Sequence, residues 1–261
     1  MFTGMSGFDP RRHPRGSDGK FEPAPPPGSP DAGLAADLAD PDPAPGAAAV
    51  VLPADPEERA HAALISTDPE LLDRLGVDAD WQVRQTVAKN PSTSVRGLSW
   101  LADDHEELVR EAAAANPSTS PRSLMKIAAR DPVELVAVTA VTNPSFGPEG
   151  FAAAARSRSP KVRCAAATRA ECPASVLTRL AGDRNSAVRH AVAANPAAPG
   201  AVLDRLAAGS PSERHAVAAN PGAPDRVLDW LAVADPVGAV RTVAASTLEK
   251  RRSSRRPRPT S

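Results

Sequence analysis

Tyrosine is absent from the 261-residue sequence, and aromatic residues make up only 3% of it. Any core must therefore be assembled from Ala, Val and Leu, which favours closely packed small helices over a large aromatic-centred domain. There are two cysteines, Cys164 and Cys172, too few in a chain of this length to form a disulfide framework. No apolar run approaches the ~20 residues that span a bilayer. The opening MFTGMSGFDPRRHPRG lacks the apolar stretch of a secretory signal. The expected setting is cytoplasmic and reducing, with no membrane contact. Net charge is also missing: 31 Lys/Arg balance 31 Asp/Glu, so the whole molecule has no strong field to steer it to a polyanion. The sequence shows no nucleophile motif, Gly-rich phosphate loop or Cys-x-x-Cys. Its Asp, Glu and His residues fall at repeat-equivalent positions that capping and solubility explain. We therefore expect no enzyme activity, no metal and no cofactor.

Proline and alanine are plentiful, and arginine far exceeds lysine, a bias typical of GC-rich bacterial genomes. Residues 1–54 carry eleven prolines, in runs such as PAPPPGSP and ADPDPAPG. Each proline removes a backbone donor and fixes φ, and few apolar side chains are present to offset ordering entropy. This segment is expected to be disordered. Within it, FDPRRHPRGSDGKF resembles a short N-terminal stretch of actinobacterial and phage-related proteins. At the other end, Lys250 to Ser261 holds six Lys/Arg and no acid, which reads as a disordered basic tail.

Between the ends the chain repeats itself. An arginine position recurs at Arg59, Arg84, Arg110, Ala137, Arg163, Arg189, Arg214 and Arg241, with spacings of 25 to 27 residues. Around it runs one motif: VRQTVAKNP (83–91), VREAAAANP (109–117), VAVTAVTNP (136–144), VRHAVAANP (188–196) and ERHAVAANP (213–221). A second motif follows: RGLSWLA (96–102), RSLMKIA (122–128), SVLTRLA (175–181), AVLDRLA (201–207) and RVLDWLA (226–232). Each motif has helical apolar spacing. Asp78, Asp104, Asp131, Asp183 and Asp235 lie six residues before the arginine position and are expected to be N-caps, with Pro132 and Pro236 at the first helical position. Asn-Pro should stop the first helix, the Asn tolerating a left-handed geometry. Ser120 and Pro121 can start the second. Isolated helices shorter than ~12–15 residues are marginal in water, so these must bury their stripes against one another and the next repeat. The expectation is an all-α solenoid of about eight helix pairs over 55–249, with Leu98, Leu101, Leu124, Leu180, Leu206 and Leu231 as core.

The unit Val-Arg-x-x-Val-Ala-x-Asn-Pro, then Leu-x-x-Leu-Ala, resembles the leucine-rich repeat variant (LRV) family over residues 56–248. The resemblance implies a right-handed superhelix of alternating α and shorter, 3₁₀-like helices, and by analogy a binding surface. Relatives of this kind also carry an N-terminal cysteine cluster holding an iron–sulfur centre. No cysteine here precedes Cys164, so that cofactor is not carried over. Ala137 departs from the pattern, and Arg169-Ala170 replaces Asn-Pro, so a local irregularity is expected over 145–173.

Two columns stand out as candidate binding residues. Arg84, Arg110, Arg163, Arg189, Arg214 and Arg241 would line one edge, either as a track for carboxylates or phosphates or as an internal ladder pairing with Asp residues and helix-end carbonyls. Asp131 persists where the arginine is replaced by Ala137, and Arg163 and Arg214 persist where the aspartate is missing, so the two are not strict partners. The second column, Trp100, Lys126, Arg179, Arg205 and Trp230, mixes aromatic and basic residues of the kind found at interface hot spots; equally, their long stems would cover the outer surface. Cys164, His190 and His215 share a register, but variable surface positions explain them better than a metal site, which wants more ligands. The preferred function is a protein-interaction scaffold of unknown partner. The alternative is nucleic-acid association through the arginines and the basic tail.

Overall fold

A computed structural model describes residues 51–255, all of whose helices belong to one unit, Pro53–Ser261. The Pro-rich stretch up to residue 50, with its HPRGSDGKF motif, and residues 256–261 of the basic tail lie outside the described residues. The described part is all-α: 15 helices and no strand.

The odd-numbered helices come from the first motif: α1 (Pro56–Ile65), α3 (Trp81–Lys89), α5 (Glu107–Ala115), α7 (Glu134–Thr142), α9 (Pro160–Thr168), α11 (Ser186–Ala194), α13 (Pro211–Ala219) and α15 (Gly238–Arg255). The even-numbered ones come from the second: α2 (Pro69–Leu75), α4 (Val95–Leu101), α6 (Pro121–Arg130), α8 (Pro148–Ala154), α10 (Ala174–Leu180), α12 (Gly200–Leu206) and α14 (Asp225–Ala234). Each odd helix packs along the next odd helix, from α1 on α3 through to α13 on α15. The even helices sit across their flanking pair and mostly touch one another sparsely.

Both series are α-helical. The 3₁₀ character implied by the family resemblance is confined to helix ends, where Asp103 N–H bonds Trp100 O at 2.9 Å and Gly182 N–H bonds Arg179 O at 3.1 Å. The six leucines expected in the core are buried, and Val83, Val109, Val136, Val162, Val188 and Val240 face them from the odd series. Alanine makes this spacing possible: Ala88, Ala113, Ala140, Ala166, Ala193 and Ala218 are fully buried between odd helices.

Three local expectations need correction. The aspartates six residues before each arginine are not N-caps. The caps lie further on, as at Asp80 for α3 and Asn185 for α11, while α5 and α7 have no side-chain cap at all. Pro132 therefore lies outside α7 rather than in its first turn. The motif asparagines are not left-handed either: Asn90 ends α3 with φ −71° and ψ 126°, an extended conformation. Finally, the basic stretch from Lys250 is helical as far as Arg255, as the end of α15. There Arg251 donates to Ala223 O and Asp225 Oδ1 at 2.6 Å each and to Pro221 O, closing the last turn of the array.

The irregularity expected over 145–173 does not interrupt the helix succession. It shows as a change of packing: α8 lies directly along α6, closer than other even-series neighbours. Gly147 sits against Pro121 of α6, where a Cβ would lie 3.2 Å from the proline, and Gly150 leaves room for the Phe146 ring, which a Cβ there would strike. Phe146 and Phe151 stack edge-to-face at 5.1 Å, at the positions held by Thr93 and Leu98, and by Thr119 and Leu124, in the preceding repeats.

Candidate functional site

Two ladders run through the array, and each links one repeat to the next. The first is made of arginine. Arg84 Nε and Nη2 bond the Asp104 carboxylate at 2.7 and 3.0 Å, while its Nη1 bonds Asp78 O and Ala79 O at 2.7 and 3.1 Å. The guanidinium thus ties the loop before its own helix to the aspartate of the following repeat. The same pattern joins Arg59 to Asp78, Arg110 to Asp131 and Arg163 to Asp183, with Nε–O distances of 2.6–2.8 Å. Arg214 Nε reaches Asp235 at 2.7 Å, and its Nη1 bonds Gly209 O. The aspartate has a further task. Asp104 Oδ1 also accepts from Glu106 N–H, and Asp183 Oδ1 from Asn185 N–H, which pins the loop into a tight turn.

This offset explains a pattern that the sequence makes puzzling. Asp131 persists beside Ala137 because its partner is Arg110 of the preceding repeat. At Gly209 the aspartate is missing, and Glu213 replaces it from within α13, bonding Arg189 at 2.7 Å while only 2% exposed. Gly209 is required there, since a Cβ would run into that carboxylate. Glu213 simultaneously completes a capping box with Ser210.

The second ladder is made of asparagine, which the sequence presents only as a helix stop. Asn116 Nδ2 bonds Ala88 O and Asn90 O of the preceding repeat at 2.8 and 2.9 Å, and its Oδ1 accepts from Ser118 N–H. Asn90, Asn143, Asn195 and Asn220 do the same, and all are buried. Arg169 replaces Asn in this ladder: its Nη1 reaches Val141 O and Asn143 O at 2.8 and 2.9 Å. Thr247 ends the ladder on Ala218 O. Helix ends that would otherwise bury orphan carbonyls are thereby satisfied.

The pairing fixes the charge states. The Arg59 guanidinium holds the Asp78 carboxyl below its ordinary range, as Arg163 does for Asp183 and Arg214 for Asp235. Burial works against ionisation of Asp104, yet Arg84 and the Glu106 N–H leave its pKa lowered. Of the candidate column, Arg84, Arg110, Arg163, Arg189 and Arg214 are thus held by carboxylates of the next repeat. Arg241, exposed at the array's end, bonds only Asp235 O among the described residues.

The tryptophans are placed differently. Trp100 is 43% exposed, with Arg96 over its ring at 4.8 Å, and Trp230 is 51% exposed. Trp230 borders a shallow cleft of about 320 Å³ with Asp204, Ala208 and Arg226, the last paired to Asp204 at 2.9 Å. Five repeats separate the two rings, roughly 40–50 Å along the array at the usual interhelix spacing, so each offers its own contact.

Cys164 stays partly exposed and bonds only Ala187 O weakly, while Cys172 is buried, its thiol pushed up to about 11 by desolvation. His190 lies against Ser212. No group of three or more His, Cys, Asp or Glu suited to a metal occurs among the described residues. Among these residues no helix is long and apolar enough to cross a membrane.

The family model described as "Leucine Rich Repeat Variant domain" matches residues 187–246. Among solved structures, a leucine-rich repeat variant with a novel repetitive structural motif is 27% identical, with a TM-score of 0.57, covering 74% of this chain and 77% of that one. An X-ray structure of YibA from E. coli aligns at 19% identity and a TM-score of 0.38, over 78% of each chain. No curated protein matches the chain. Residues 187–246 thus carry a leucine-rich repeat variant domain, and the array as a whole is similar in fold to a leucine-rich repeat variant structure.

Proposed function

We propose that this chain is a noncatalytic, cytoplasmic scaffold for protein–protein interaction, using the even-numbered helices as its docking face. The observation that carries this reading is the exposure of Trp100 and Trp230 on helices whose leucines, Leu98, Leu101, Leu228 and Leu231, are buried, with Val95 and Val233 exposed on the same two helices. A half-exposed Trp costs solvation and gains most when a partner covers it. The regular basic feature that would favour nucleic acid is largely engaged inside the molecule. In the described part of the basic end, Arg251 and Arg252 pair with Asp225 and Asp229.

The test is capture of partners by the tagged chain from its native extract, at low salt and at ~0.5 M salt, where exposed charge contacts are screened. A discrete protein should survive both salt and nuclease. Its capture should weaken roughly 30-fold with Trp100→Ala or Trp230→Ala, as expected for a hot spot. A nuclease-sensitive signal that ignores both tryptophans would overturn the reading.

A further inference from the structure

The arginine ladder has one gap. At position 137 the side chain is a buried alanine, and in the next repeat Ser157 stands where the aspartate would be. Both halves of one link are therefore missing, and a cavity of about 550 Å³ occupies the place between α7, α9 and the loops before them.

Three features of this cavity point to a ligand. First, the carbonyls of Asp131 and Pro132 correspond to the pairs that bind Nη1 at the intact links, such as Asp104 O and His105 O with Arg110. Among the described residues, no side chain donates to either of them. Second, three exposed arginines border the opening: Arg130, Arg156 and Arg158. None has a carboxylate partner among the described residues; Arg156 bonds only Ala152 O, at 3.3 Å. The nearby acids are already committed, Asp131 to Arg110 and Glu134 to Lys161 and Ser159. Three positive charges therefore converge without compensation in a chain that elsewhere pairs much of its arginine. Third, Ala129 and Arg130 also line a cleft of about 650 Å³ beside α6, reaching Arg122 and Met125, so the cavity opens into a longer groove.

We infer that this gap is a docking site for an acidic peptide segment of a partner protein. A peptide supplies both things the site lacks: carboxylates for Arg130, Arg156 and Arg158, and N–H donors for the carbonyls of Asp131 and Pro132. A sugar–phosphate backbone supplies the anions but no N–H donor for the two carbonyls. The inference rests on the scaffold reading above and adds to it a location and a partner chemistry.

The experiment measures fluorescence anisotropy of the full chain with a labelled peptide of about twelve residues alternating Asp and Ala, and with a labelled single-stranded DNA of equal charge. Two variants are compared. Charge reversal by Arg130→Glu, Arg156→Glu and Arg158→Glu together removes the exposed arginines. The pair Ala137→Arg and Ser157→Asp rebuilds the missing link while leaving all three in place. The peptide should bind the unaltered chain, and each variant should weaken it at least about tenfold. Thermal melting of the rebuilt variant, at or above that of the unaltered chain, shows that it folds.

Peptide binding that ignores the rebuilt link, or DNA binding as tight as peptide binding, would overturn the inference. So would no peptide binding at all. The scaffold reading would stand or fall separately, on the effect of the two tryptophans on partner capture.

Discussion

The link from Arg84 to Asn116 and the link from Ala137 to Arg169 occupy equivalent places on the same succession of helices, yet they are held together differently. In the first, a buried guanidinium closes onto Asp104, and Asn116 closes onto two carbonyls of the repeat before. In the second, the guanidinium and its acid are both absent, and a mostly buried Arg169 replaces the asparagine. The helices nonetheless continue, and α8 settles closely on α6 with a Phe146–Phe151 contact in its core. Apolar burial together with the carbonyl ladder is thus enough to propagate the array where the arginine link is missing. The polar ladders satisfy helix ends and fix the register of one repeat on the next, and where one ladder lapses the chain gains a cavity with uncommitted arginines at its edge.

Mutations sharpen this contrast. The largest effect is expected at the asparagine ladder. Asn116→Ala leaves the buried Ala88 O and the Ser118 N–H without partners and leaves Asn90 O only the Thr93 N–H, and should destabilise by about 2–3 kcal/mol, whereas Arg169→Ala, whose carbonyl partners are only part-buried, should cost about 1 kcal/mol. Urea unfolding of the two variants tests this, and equal losses would break the distinction. Next comes the arginine ladder. Asp104→Ala strands the buried Arg84 guanidinium and should cost on the order of 2–3 kcal/mol. Ser157→Ala at the gap should stay within about 0.5 kcal/mol, as surface changes do.

The smallest effect is one of pH. The rung carboxylates have pKa values lowered on folding, so their contribution is fully present above the unfolded value of about 3.9 and is lost as pH falls through the folded one. The stability difference between the unaltered chain and Asp104→Asn should therefore be largest near neutral pH and shrink below about pH 4. A difference that is constant with pH would mean that the Asp104 charge adds nothing beyond its shape.

The helices and their core were legible because both depend on local spacing: valines and leucines at helical intervals, and short helices that cannot stand without neighbours. The exposed Trp100 and Trp230 follow from the same column that placed Leu98 and Leu231 inside. The ladders were visible as recurring letters but not as bonds. Asn116 read as a stop signal because its partners, Ala88 O and Asn90 O, are backbone atoms more than twenty residues away that carry no sequence signature. Asp104 read as a cap because its use by Arg84 of the preceding repeat is invisible within one repeat. The expected tail from Lys250 failed for a related reason: Arg251 finds Asp225 and two carbonyls only once α14 and α15 are packed together.

Local chemistry in the sequence therefore determined that this chain forms short amphipathic helices at a period of about 26 residues, and that those helices must stack. Tertiary structure alone decided which arginine meets which acid, because the pairing is displaced by one whole repeat and depends on how closely the alanine-lined helices approach. That displacement is why the link that positions 137 and 157 would form, twenty residues apart, is empty at Ala137 and Ser157 while Asp131 and Asp183 on either side are bound to Arg110 and Arg163.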